Sequence, residues 1–379
     1  MKNIESISFV IPCLNEESTL GLVLSKIKQT CSKDFKKINT EIIVSDNGSS
    51  DNSEEIAKRN GARVVHCKEK GYGSALVFGI DNSESEVIIF ADADNTYDFT
   101  ESPKLIEKLN DGYDLIYGSR LKGNIQKGAM PFLHRYFGTP ILNFLINLLF
   151  AKNNNKINDC NSGFRCFFRE KFITWNARSK GMEFASEMII NAMKNNAKIS
   201  SVPITLYKDS ENRIPHLNTW RDGMRHFLQI LLSSSEIFSK IGFFIFSFSW
   251  IILIMGLLIG PTSISGFKIF GIHSMMLGTL LSIFSLSFWS VGLFISINNL
   301  NNTQIYKYLI NLSEDKLFWL LFYSFFTIIF FIILMFFYWA VQGYNFLSIE
   351  KETLIIMTFL SNIIIFHSNL IAVHILKKK

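Results

Sequence analysis

Val87-Ile88-Ile89-Phe90-Ala91-Asp92-Ala93-Asp94 is an unbroken apolar run that ends in two carboxylates one residue apart. A short apolar run bounded by polar residues reads as a strand buried on both faces, the pattern of a sheet covered by helices. The chain around it repeats the theme. Residues 7–13, 41–45, 62–66 and 114–117 are further short strands, and residues 16–27, 53–59, 72–80 and 103–109 carry helical periodicity. This alternation predicts an α/β domain with a mainly parallel sheet. In such sheets ligands bind beyond the carboxyl ends of the strands.

The strand ends are polar. The first runs into Pro12, Leu14 and Glu16, the second from Val44 into Asp46, Asn47 and Gly48, and a later one into Ser119 and Arg120. Asn, Asp and Ser after a strand also cap the next helix, and each loop alone is open to that reading. Asp92 and Asp94 are the most informative. Hard divalent cations take oxygen ligands, and Mg²⁺ is usually held by one or two carboxylates plus substrate phosphates. A metal so held can neutralise a diphosphate leaving group. Gly71-Tyr72-Gly73 could admit a phosphate to the backbone or simply turn the chain. It matches neither the P-loop spacing nor GxGxxG.

Charge then disappears. Residues 241–267, 269–306, 317–349 and 353–376 hold no Lys, Arg, Asp or Glu, and all but four of the 32 acidic residues precede them. A helix crossing the ~30 Å hydrocarbon core needs about 20 mostly apolar residues. Four spans are expected near 241–260, 272–297, 317–341 and 353–376, giving a membrane domain over 236–379 after an enzyme domain over 1–235. Arg221, Arg225 and Lys240 precede the first span, Lys307 and Lys316 follow the second, and Lys377, Lys378 and Lys379 follow the fourth. The excess predicts a cytoplasmic catalytic domain and both termini cytoplasmic, in the cell inner membrane. Residues 7–14 are too short for a signal core. The net charge of +6 comes without a basic stripe interleaved with aromatics, so nucleic acid is not an expected partner.

On these residues the chain resembles glycosyltransferase family 2, with its GT-A nucleotide-sugar-binding fold, and is similar to the polyprenyl-phosphate (dolichol-phosphate) mannose and glucose synthases. The resemblance is carried by VIPCLNEE (10–17), IIVSDNGSSD (42–51), KGYGSAL (70–76), IIFADAD (88–94), YGSRLKG (117–123), GAMPFLHRYFGTP (128–140), NDCNSGFR (158–165), GMEFASEM (181–188) and NRIPHLNTWRDGMRHFL (212–228). It implies that Pro12, Leu14, Glu16, Val44 and Asp46 contact the nucleotide, with Ala93 beside it. It implies that Asp92 and Asp94 hold Mg²⁺ or Mn²⁺, that Arg120 meets phosphate and that Arg213 closes over the diphosphate. Asp159 matches the family's second acidic loop near the reacting centre. Three stretches depart from the pattern: Asn47 stands where the family has a second acid, Asn95 and Thr96 follow the carboxylate pair, and the loop around residues 209–216, which holds Arg213, differs from the mannose synthases.

The expected reaction is an inverting transfer of one hexose from a nucleotide diphosphate sugar, UDP-glucose or GDP-mannose, to polyprenyl phosphate. A hydroxyl acceptor needs a general base, whereas a phosphate oxygen is already anionic and needs cations that place it. Arg120 and Arg135, with the Thr139 hydroxyl, are the candidates. Residues 136–151 are apolar but too short to span, which suits either a core helix or one lying at the bilayer interface. Rival readings are transfer to a hydroxyl of a lipid-linked or polysaccharide acceptor, with Asp159 as base, and a catalytically silent membrane assembly subunit. A processive synthase is disfavoured because no QxxRW motif occurs. Self-association is open.

Overall fold

The computed structural model describes residues 4–152, 155–210, 219–264, 267–297, 303–341, 343 and 350–377. The chain forms two compact units, Met1–Ser233 and Ser234–Lys379.

In the first unit, strands β1 (Ser6–Cys13), β2 (Asn39–Asp46), β3 (Arg63–His66), β4 (Val87–Phe90), β5 (Leu115–Ile125), β6 (Arg165–Phe168) and β7 (Ile199–Leu206) build one sheet in the order β3-β2-β1-β4-β6-β5-β7. Helices α1 (Leu20–Asp34), α2 (Ser53–Arg59), α3 (Tyr72–Asp81), α4 (Ser102–Asn110), α5 (Thr139–Phe150), α6 (Arg169–Trp175), α7 (Phe184–Lys194) and α8 (Thr219–Leu232) accompany it. Successive strand side chains point to opposite faces. Ile7, Phe9 and Ile11 of β1 therefore join Val87 and Ile89 of β4 in one core, while Val10 joins Ile88 and Phe90 in the other. All four residues of β4 are buried, which is why this strand lacks the polar alternation of a half-exposed one.

The α/β expectation holds, with one strand reversed. β1 runs parallel to β2 and β4, and β5 parallel to β7, but β6 is antiparallel to both its neighbours, β4 and β5. Phe90 at the end of β4 lies opposite Arg165 at the start of β6. The loop before β6 is thereby delivered to the edge where β4 ends. A second difference is the start of α1, four residues later than the helix expected from 16. The Glu16 carbonyl accepts the Thr19 and Leu20 N–H groups at 3.1 and 2.9 Å, so the intervening turn belongs to the strand-end loop.

The second unit holds α9 (Ser235–Leu258), a hairpin of β8 (Thr262–Ile264) and β9 (Phe267–Ile269), α10 (Ile272–Ile295), α11 (Gln304–Ile310), α12 (Glu314–Val341) and α13 (Glu350–Lys377). Four of these, α9, α10, α12 and α13, are long and apolar enough to cross a membrane. α10 and α13 are joined by side chains. The Thr279 and Thr358 hydroxyls lie 2.8 Å apart, and Asn362 Nδ2 donates to Ser282 Oγ at 2.7 Å. Asn369 Nδ2 donates to Ser290 Oγ at 3.0 Å. Both partners rise together along the chain, so the two helices run parallel. In lipid, where apolar surface gives little drive to associate, such bonds specify pairing.

Asn362→Ala and Ser282→Ala should each lower the stability of the full-length protein in bicelles. A double-mutant cycle should give a coupling of about 0.6–1.7 kcal/mol, read from SDS-induced unfolding.

Candidate active site

The strand ends of the first unit converge through hydrogen bonds between loops. Asn15, in a left-handed conformation with φ of 57°, accepts the Ser50 N–H at 2.8 Å, and its own N–H donates to Ser49 Oγ at 3.0 Å. The Glu16 N–H donates to Ser53 Oγ at 2.9 Å. The loop after β1 is thus latched to the loop after β2. Pro12 and Glu16 are buried there and Leu14 is half-buried. Val44 is buried in β2, and Asp46 turns the chain by accepting the Gly48 and Ser49 N–H groups at 3.0 and 3.1 Å.

Asn47 has a specific task. Its Nδ2 donates to the carbonyls of Cys67 and Glu69 at 3.2 and 2.7 Å, and its Oδ1 accepts the Gly71 N–H at 2.8 Å. A carboxylate could accept from Gly71 but would face two carbonyl oxygens with no proton to offer. The departure from the family's acidic pattern is therefore a change of architecture as well as of charge.

Asp92 and Asp94 follow directly on β4 and are half-buried, with buried Ala93 between them. Tyr72 Oη donates to Asp92 Oδ1 at 2.8 Å. Asp94 Oδ1 accepts both the N–H and the hydroxyl of Thr96, at 3.0 and 2.6 Å. The turn that allows this places Asn95 at φ of 59°. Both carboxylates are thus oriented by neutral donors. Oxygen donors of this kind fit a hard cation whose other ligands are phosphate and water. Among the described residues no cluster of three or more His, Cys, Asp or Glu could hold a metal alone.

Two glycine positions are settled by packing. A Cβ on Gly73 would stand 2.0 Å from the Ser179 carbonyl oxygen, and one on Gly71, at φ of 137°, 2.1 Å from that of Lys180. These glycines let two backbones meet, which decides for packing over phosphate. A Cβ on Gly163 would stand 2.8 Å from Asp92 Oδ2, so only glycine lets the loop before β6 lie on Asp92. The Gly163 N–H donates to the buried Tyr97 hydroxyl at 2.9 Å. Burial, opposed by Arg120 and reinforced by Asp92 and Asp159, pushes that hydroxyl up to about 12.

Asp159 is fully buried. Its Oδ2 accepts the Arg120 N–H and Nε–H at 2.9 Å each, and its Oδ1 accepts Arg120 Nη2–H at 2.6 Å. This fork-on-carboxylate geometry orients Arg120, which keeps some exposure. Arg165 lies fully buried beneath; Nε donates to the Ser162 carbonyl at 3.1 Å and Nη2 to that of Cys160 at 2.8 Å. Arg135 is exposed, in a π-helical turn (His134–Gly138), with its guanidinium over the Tyr136 ring. Thr139, at the start of α5, is buried. Arg213 lies outside the described residues. Tyr72 and Arg165 stood inside quoted motifs and Tyr97 three residues beyond one, yet no periodicity or spacing marked them as site residues.

Behind this layer, His226 of α8 is buried, with Nδ1 2.9 Å from Ser186 Oγ of α7. Burial pushes its imidazole down to about 4, against the pull of Glu183 and Asp222. α8 buries Asp222, His226 and Ile230, while Trp220, Met224, Phe227, Leu228 and Leu232 are exposed.

Asn47→Asp should cost about 1–3 kcal/mol for each carbonyl left unpaired, measured by thermal denaturation of the purified full-length protein. Because the folded pKa of His226 lies below the unfolded value of about 6.5, its neutral form stabilises above that pH. That stability is lost as pH falls from about 6.5 toward 4. A His226→Gln protein should show a shallower loss of melting temperature across that window than the unmodified chain.

Comparisons with known proteins identify the family and the fold. A family model described as glycosyl transferase family 2 matches residues 8–174. A low-salt glycan biosynthesis hexosyltransferase of Haloferax volcanii is 34% identical over 300 residues, covering 78% of this chain and 69% of the relative. A dolichyl-phosphate hexose transferase of the same organism is 30% identical over 204 residues, covering 53% of this chain and 82% of the relative. Among solved structures, glucosyl-3-phosphoglycerate synthase of Mycobacterium tuberculosis, in complex with Mn²⁺, UDP-glucose and phosphoglyceric acid, is similar with a TM-score of 0.50 and 21% identity. That likeness covers 60% of this chain and 79% of that one and shows a shared GT-A fold.

Proposed function

We propose, from the premise that the chain belongs to glycosyl transferase family 2, that it transfers one hexose from a nucleotide diphosphate sugar to polyprenyl phosphate at a membrane surface. The observation that carries this is the adjacency of two chemistries at one sheet edge. Carboxylates Asp92 and Asp94, suited to a cation–diphosphate pair, stand beside Arg120, a guanidinium held in place for phosphate. The names of the two archaeal relatives, a hexosyltransferase and a dolichyl-phosphate hexose transferase, support the sugar class and the acceptor class.

In the mechanism, Pro12, Leu14, Glu16, Val44 and Asp46 form the nucleotide side, and Asp92 and Asp94 would hold a divalent cation, Mg²⁺ or Mn²⁺. When bound, that cation supplies positive charge to the departing diphosphate. Arg213 of the sequence resemblance serves the same charge. Arg120 and Arg135 place the acceptor phosphate, whose oxygen attacks the anomeric carbon. The bond from that carbon to the nucleotide diphosphate breaks, its electron pair leaves on the diphosphate oxygen, and the configuration inverts. No proton moves, so no base is needed. The hydroxyl-acceptor reading needs Asp159 as base, and both oxygens of that buried carboxylate are engaged by Arg120.

The apolar outer faces of α5 and α8 suit a bilayer interface. Phe144 and Leu148 of α5 and Trp220 and Met224 of α8 are exposed, and only Ser233 and Ser234 separate α8 from the span helix α9. Exposed apolar surface of this extent marks an interaction site. The basic residues flanking the spans support a cytoplasmic catalytic unit in the inner membrane, and parallel α10 and α13, with one span between them, suit that alternation.

Purified full-length protein, offered polyprenyl phosphate with UDP-glucose or GDP-mannose and Mg²⁺, should form a lipid carrying one acid-labile hexose. Asp92→Ala and Asp94→Ala should lower this transfer about a thousandfold. A folded double variant that still turns over would remove the metal assignment. Labelled sugar found on a hydroxyl would remove the acceptor.

A further inference from the structure

The inner face of α5 carries two asparagines where apolar packing would suffice. Thr139, Leu142 and Ile146 already fill that face against the core. Asn is a poor residue for a helix interior, because its side chain competes for backbone hydrogen bonds. Here each amide both donates and accepts. Asn143 Nδ2 donates to the Asn158 carbonyl at 2.6 Å, and its Oδ1 accepts the Cys160 N–H at 2.9 Å. Asn147 Nδ2 donates to the Ile157 carbonyl at 2.7 Å, and its Oδ1 accepts the Ile157 N–H at 2.8 Å. The two side chains hold the backbone of 157–160 as a neighbouring strand would. The residue enclosed by these bonds is Asp159. The sheet side closes the grip: Tyr117 Oη accepts the Asn158 N–H at 3.0 Å.

We propose that Asn143 and Asn147 are positioning residues for the acceptor phosphate, acting through Asp159 on Arg120. This rests on the reading of Arg120 as a phosphate ligand. The route is short and fully bonded: amides to loop, loop to Asp159, Asp159 to three N–H groups of Arg120. The opposite face of the same helix exposes Ile141, Phe144 and Leu148. The helix that offers an apolar surface outward therefore sets, on its inward face, the cation that meets the phosphate. A displaced helix would misplace that cation without touching the nucleotide side.

The test measures KM separately for the two substrates, using the full-length enzyme with polyprenyl phosphate in mixed micelles and a saturating nucleotide sugar, then the reverse. Asn143→Leu keeps the branched side-chain shape without the hydrogen bonds, and Asn147→Ala alters a half-buried position. Each should raise the acceptor KM about ten- to hundredfold and leave the donor KM within about twofold. KM does not depend on the fraction folded, so a partly folded preparation still answers. Arg120→Ala is run beside them. If Arg120→Ala raises the acceptor KM and the asparagine variants do not, the positioning role is overturned and the acceptor reading stands. If Arg120→Ala leaves the acceptor KM unchanged, the acceptor reading itself fails. Variants that lower kcat alone, with both KM values unmoved, would show the asparagines to be structural only.

Discussion

The site depends on one strand running against its neighbours. β6 lies between β4 and β5 and is antiparallel to both, so its first residue, Arg165, sits opposite the last residue of β4. A parallel strand in the same place would carry its leading loop to the far edge of the sheet. The reversal instead sets Gly163 on Asp92, buries Arg165 beneath them and delivers Asp159 to Arg120. Burying that ion pair exacts a desolvation cost that Coulomb attraction alone seldom offsets. The geometry answers with three hydrogen bonds to one carboxylate and a backbone loop pinned on both sides. Loss of either partner would strand a charge in the core.

Much of the fold was legible because it rests on short-range patterns. The apolar run of β4 and the carboxylates at its end follow from burial on both faces, and the alternation of strands and helices gave the α/β class. The four apolar helices followed from missing charge alone. What stayed hidden depends on contacts between distant residues. Nothing local in Arg165-Cys166-Phe167-Phe168 distinguishes a reversed strand from a parallel one. Tyr72 was screened by its flanking glycines, whose role proved to be backbone packing against residues 179–181. Asn47 read as a missing charge, although its amide does what a carboxylate could not. Asp159 read as the acid of a loop near the reacting centre, and its hold on Arg120 through both oxygens depends on residues far apart in the chain.

The first unit also sorts its polarity in an unusual way along α5 and α8. Both helices bury polar groups beside apolar ones, Asn143 with Leu142 and Ile146 on α5 and Asp222 and His226 with Ile230 on α8, and expose aromatic and aliphatic groups. A helix on a water-exposed surface carries its apolar stripe toward the core. A second apolar face, turned outward, makes sense where the outside is less polar than water. It also frees the inward polar groups for construction: Asn143 and Asn147 build the Asp159 loop, and His226 ties α8 to α7.

The parallel pairing of α10 and α13 has a consequence for biosynthesis. α13 is the last of the four long helices in chain order, and it brings the partners of Thr279, Ser282 and Ser290. α10 is made before α13, and α12 is made between them, so those hydroxyls wait for their inter-helix partners. The second helix is therefore completed by the fourth, and this pairing forms only once the last of the four long helices has been made.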